Sequence, residues 1–143
     1  MKSFWKKYFF DPEIPAARID LSLLIIRIVF GASMVIGHGW GKLMSYGERL
    51  DSFPDPLGLG SPISLTLAVF AEFFCAVAVV IGFATRFAVI PLIITMLVAI
   101  FVVHISDPFS RMEKAILFLF PYIALLISGP GRYSIDAKIT AGE

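Results

Sequence analysis

Arg27-Ile28-Val29-Phe30-Gly31-Ala32-Ser33-Met34-Val35-Ile36-Gly37-His38-Gly39-Trp40-Gly41-Lys42 decides the fold. Arg27, Gly31, Met34, His38 and Lys42 recur at spacings of four, three, four and four, which makes one stripe on an α-helix. The rest of that helix is apolar. A charged, glycine-bearing stripe on such a helix cannot face lipid, so it must face protein or a wet cavity, with other apolar segments gathered around it.

Composition agrees. Of 143 residues, 58% are hydrophobic and only 16% charged, whereas soluble domains run near roughly 45–50% and 25%. The mean hydropathy is +0.87. This describes one integral membrane domain. A net charge of +1 gives no reason to expect nucleic acid as a partner; the lipid bilayer is the expected one. A single cysteine, Cys75, excludes an intrachain disulfide and a Cys-x-x-Cys motif. With two histidines, no metal site is expected.

Working outward, the first helix is expected over 21–44, with Asp20 as N-cap. This is longer than the ~20 residues that span a bilayer. Gly37 and Gly41 form a Gly-x-x-x-Gly pair that would permit close helix contact. Upstream, residues 1–20 mix lysines with Phe4, Trp5, Tyr8, Phe9 and Phe10, the composition of an interfacial segment, with a disordered tail as the equal alternative, and lack the pattern of a signal peptide. Downstream, residues 47–60 hold two prolines and three glycines, a loop long enough to fold over a mouth between helices. A second helix is expected over 62–81, capped by Ser61 with Pro62 in its first turn. The short turn 82–86 makes it an antiparallel hairpin with a third helix, 87–103. Ser110-Arg111-Met112-Glu113 has the form of a capping box for a fourth helix over 112–127, with a kink at Pro121. Residues 129–143 form a polar tail. The transmembrane domain is thus 21–128, an all-α four-helix bundle with both termini on one side.

That side carries Lys2, Lys6, Lys7, Arg18, Arg86, Arg132 and Lys138, against Lys42, Arg49, Arg111 and Lys114 on the other. The positive-inside rule puts both termini in the cytoplasm.

Two groups of residues could carry chemistry. Counting depth from the helix ends at ~1.5 Å per residue brings Arg27 and Glu72 within reach of each other. Each charge alone costs about 2.5–3.5 kcal/mol at mid-membrane. An Arg27–Glu72 pair would offset that, either as a structural lock between helices or as a proton-relay or ligand-anchoring carboxylate. His38, Lys42, His104, Asp107 and Glu113 are expected together at the other end of the bundle. Such a cluster suits a small-molecule head-group or proton transfer; ordinary interfacial polarity, with Glu113 used as a cap, would look the same.

The order and spacing of these pieces resemble the DoxX family of small four-helix bacterial membrane proteins. The resemblance rests on Arg27 with Gly31 through His38-Gly39-x-Gly41-Lys42, then Ala71-Glu72, then Gly82-Phe83-Ala84-Thr85-Arg86. His104, Glu113 and Gly129-Pro130-Gly131-Arg132-Tyr133-Ser134-Ile135-Asp136 complete it. It implies a multi-pass protein of the bacterial cytoplasmic (inner) membrane, related to subunits of thiosulfate:quinone oxidoreductase and of complexes that handle oxidative stress. The expectation is therefore a redox-associated subunit that binds quinone or another small apolar ligand in the bundle near His38, Glu72 and His104; the resemblance carries over no catalytic residue, and Arg27, His38, Lys42, Glu72, His104 and Glu113 are ligand or proton-relay candidates on physical grounds. A redox partner protein would supply electrons. The alternatives are a non-catalytic assembly or scaffold protein, and a small transporter acting as a homo-oligomer.

Overall fold

The computed structural model describes residues 15–142. Most of the basic, aromatic segment expected at the membrane surface lies outside them. Within them all regular secondary structure is helical. Helix α1 spans Ala16–Met44, the short α2 Tyr46–Arg49, α3 Ser61–Ile81, α4 Thr85–Val103, α5 Phe109–Ser128 and the tail helix α6 Ile135–Ala141. Helices α1, α3 and α4 are long and apolar enough to cross a membrane. Helix α5 has a similar length, 20 residues, but carries Arg111, Glu113 and Lys114 in its first two turns.

The long helices alternate in direction, and α3 and α4 pack as the expected hairpin. Helix α5 lies along α4. Met34, Leu65, Val79, Leu92, Tyr122 and Leu125 fill the middle, almost wholly buried. Phe87, Ile36 and Ile127 point outward at 78%, 76% and 75% exposure. Large apolar side chains this exposed on a long apolar helix are the surface that lipid covers.

Several helix ends differ from expectation. Helix α1 starts at Ala16, straight after Pro15 in an extended conformation, so Asp20 lies inside the helix. There it accepts the backbone N–H of Arg132 at 3.0 Å and pairs with that arginine's side chain at 3.6 Å. Helix α3 is preceded by Gly60, and Ser61 donates its hydroxyl back to the Leu50 carbonyl at 2.8 Å. Helix α5 begins at Phe109 after Pro108, so Ser110 and Glu113 form no capping box, and the helix continues through Pro121.

Tail and turn hold each other. The turn after α3 places Gly82 (φ 72°) and Ala84 (φ 46°) in the left-handed region, which costs a non-glycine residue about 1–2 kcal/mol. Asp136 stabilises it: its carboxylate accepts the N–H groups of Ala84 at 2.6 Å and Thr85 at 2.9 Å, at the start of α4. The N–H of Asp136 in turn donates to the Gly82 carbonyl at 2.9 Å.

Among the described residues, three helices contain a π-helical turn: α1 at Val35–Gly39, α3 at Phe70–Cys75 and α4 at Ala99–Val103. Such turns admit one extra residue and often occur at functional sites. Here the first two face each other. A Cβ at Gly39 would stand 2.3 Å from the Glu72 carbonyl oxygen, so only glycine allows the two backbones to come this close. Gly37 and Gly41, expected to serve that purpose, have nothing within 4 Å of a built Cβ. They are exposed on the outer face of α1.

Candidate functional site

The end of the bundle away from the tail encloses a cavity of about 400 Å³. All three π turns border it: His38 comes from the first, Glu72 from the second, Ala99 and Val103 from the third. The walls are mainly apolar, with Met34, Leu67, Ala68, Ile94, Met96 and Phe118 among them. The polar groups are few: His38, Lys42, Glu72, Thr95 and His104, with Ser64, Arg111 and Lys114 nearer the rim. A mostly apolar concavity of this size with a few convergent polar groups is the usual form of a small-molecule site.

The loop over residues 50–60 covers part of the mouth, and Phe53, Pro54, Leu57 and Leu59 join the lining. It is tied at both ends. Tyr46 Oη meets Thr66 Oγ1 at 2.6 Å, and Asp55 accepts the hydroxyl of Ser64 at 2.7 Å and the N–H groups of Gly60 and Leu59 at 2.7 and 3.0 Å. These bonds, the Ser64 hydroxyl first, hold the Asp55 carboxyl below its ordinary pKa.

Glu72 is 6% exposed and pairs with Lys42, whose Nζ lies 2.5 Å from Oε2. The pair joins α1 to α3 and brings a carboxylate and an ammonium to the cavity wall together. His38 sets its ring edge-on to Phe118 at 5.8 Å between centroids. His104 Nδ1 is held 2.8 Å from Asp107 Oδ2, which leaves Nε2 for the cavity side.

Of the six residues expected at the site, His38, Lys42, Glu72 and His104 meet at the cavity. Glu113 is exposed and outside its lining. Arg27 is elsewhere, and the expected Arg27–Glu72 pair does not form. Counting from the helix ends fails because α1 is longer than α3 at the tail end. Close contact at Gly31 against Val80 and at Gly39 against Glu72 sets the true register. Arg27 therefore falls level with the Gly82 turn. It is wholly buried there and donates through Nη2 to the Tyr133 carbonyl, with Asp136 as the opposing charge. Among the described residues its Nε and Nη1 have no hydrogen-bond acceptor. Sequence reading did not assign Arg111, Lys114 or the apolar loop residues to the cavity. The only signal for the last was the placement of Phe53, Leu57 and Leu59 among prolines and glycines. Among the described residues no three His, Cys, Asp or Glu side chains gather where a metal ion could be held.

The DoxX family model matches residues 22–105. The chain is 30% identical to the uncharacterized membrane protein Rv3486 of Mycobacterium tuberculosis, over 90% of this chain and 88% of that one. It is 28% identical to the inner membrane protein YqjF of Escherichia coli, over 82% and 91%. No solved structure matches significantly. The chain belongs to the DoxX family, and it is an integral membrane protein that crosses the bilayer more than once.

Proposed function

We propose that this DoxX-family chain is a ligand-binding subunit of a redox system in the bacterial inner membrane, with both termini cytoplasmic, and that its cavity takes a quinone or a similar small apolar ligand. The single observation behind the reading is the convergence of His38, Lys42, Glu72 and His104 on one apolar cavity between membrane helices. Polar groups at that depth are costly unless paired or used. Lys42 and Glu72 are paired with each other beside an apolar space. A ring carbonyl in the cavity can accept a hydrogen bond from Lys42 or His38, while the ring lies against Phe118 and Met34. Reduction of a bound quinone to quinol takes two electrons and two protons; in this reading a separate oxidoreductase supplies the electrons, and the Lys42–Glu72 pair and His38 lie where the protons arrive.

Titration of the purified protein in lipid nanodiscs with decylubiquinone tests this. Saturable binding that weakens in His38→Ala and Glu72→Gln supports it. Absence of saturable binding, or equal binding by wild type and both variants, refutes it.

A further inference from the structure

The charges around the cavity do not balance. Its lining includes three basic side chains, Lys42, Arg111 and Lys114, and one carboxylate, Glu72. Lys42 is neutralised by Glu72 at 2.5 Å. Arg111 has only a loose partner, Asp107 at 4.0 Å, and that carboxylate is already held by His104 at 2.8 Å. Lys114 has no hydrogen bond or ion pair among the described residues and lines the same cavity. Counting the lining side chains and Asp107, one positive charge remains on the α5 side of the rim, while the Asp55 carboxylate on the loop is occupied by Ser64, Gly60 and Leu59. Arg111 and Lys114 lie three residues apart near the start of α5, on neighbouring turns, so both can approach one head-group.

Resting on the reading of this cavity as a ligand site, we propose that it is selective for amphipathic carboxylates: an acyl or other apolar body lies between Met34, Leu67 and Phe118 under the 50–60 loop, and a single anionic head stays at the wet mouth between Lys114 and Arg111. Charge complementarity carries the choice of head. A cationic rim on a low-dielectric cavity focuses its field on an entering anion, and a carboxylate accepts charge-assisted hydrogen bonds from both side chains. The head need not be desolvated, because Arg111 is 69% exposed. The body replaces water against apolar walls. A cationic amphiphile of the same length is repelled, and a neutral one gains only the apolar part.

Equilibrium dialysis of the full chain in nanodiscs at about pH 8, where a carboxylic acid is ionised, separates the outcomes. The probes are decanoate, decanol and decylubiquinone, with empty nanodiscs subtracted. Decanoate is expected to bind roughly tenfold more tightly than decanol, with the difference shrinking as salt is raised. Lys114→Gln and Arg111→Gln are each expected to weaken decanoate roughly three- to tenfold while decanol and decylubiquinone stay at wild-type levels; the neutral probes also show that the variants are folded. Equal affinity for decanoate and decanol, or decanoate binding untouched by both substitutions, overturns the proposal while saturable decylubiquinone binding keeps the quinone reading. Decanoate binding without decylubiquinone binding supports the proposal and overturns the quinone reading. No saturable binding of any probe overturns both.

Discussion

Gly39 and Glu72 meet so closely that a single methyl group on the glycine would strike the glutamate's carbonyl oxygen at 2.3 Å and its carbonyl carbon at 2.6 Å. This contact sets the register of α1 against α3 and so delivers Lys42 to the Glu72 carboxylate. Gly39→Ala must push two backbones apart, which side-chain repacking cannot relieve. We expect a loss of about 2–3 kcal/mol, at the upper end for overpacking. Gly37→Ala and Gly41→Ala meet open space and should stay within roughly 0.5 kcal/mol of wild type. Thermal unfolding in detergent distinguishes them: a Gly39→Ala protein that melts with wild type would remove this contact as the register key.

At the other end, Arg27 anchors the tail through the Tyr133 carbonyl while Asp136 anchors the Gly82–Thr85 turn. Arg27→Met leaves that carbonyl without its donor and Asp136 without its opposing charge, a loss on the order of 2–3 kcal/mol. Gly82→Ala should act in the same way, because its Cβ would stand 1.9 Å from Arg27 Nη1 and its φ is +72°. The tail should then loosen, and trypsin should cut after Arg132 and Lys138 several-fold faster than in wild type. Unchanged cleavage in both variants would show that the tail is held by other means.

The loop over the cavity should respond to acid through Asp55. Its folded pKa lies below the ordinary carboxylate value because of the bonds from Ser64, Gly60 and Leu59. Its contribution to loop order is therefore fully present above about pH 4, the unfolded value, and fades as pH falls through the lower folded one. Hydrogen exchange of residues 50–60, corrected for intrinsic rates, should rise at low pH in wild type. In Asp55→Asn it should already be raised at neutral pH and change little with acid. A wild-type loop equally protected on both sides of that range would rule out Asp55 as its fastener.

The helices were legible because long apolar runs have one inexpensive state in a membrane, with every backbone group bonded within the segment. Four of the six expected residues line the cavity for a related reason: His38, Lys42, Glu72 and His104 are polar groups that lipid would penalise, so they turn inward. Their pairing was not legible. Glu72 was expected to meet Arg27 because depth was counted from helix ends, and α1 extends past α3 by turns that the tail covers. The ion pair with Lys42 depends on packing at Gly31 and Gly39, which no periodicity announces. The π turns were also hidden, since their hydropathy is that of the helices around them. Arg111 and Lys114 read as ordinary interfacial charges; only the position of α5 at the mouth sets them apart. Glu113 was placed with the cluster because it lies at the same end of the bundle; on α5, which starts at Phe109, its side chain is exposed instead, and the capping alternative does not form either.

Each widened turn around the cavity is in effect a one-residue insertion that the helix has absorbed without breaking. A residue added to a regular α-helix would swing everything beyond it by about 100°; the widened turn takes up that rotation, so that in α1 Lys42 still faces Glu72 while Arg27 keeps its place by the tail. The bundle thus absorbs single-codon length changes around its chamber, with the lipid-facing shell and the tail lock in place.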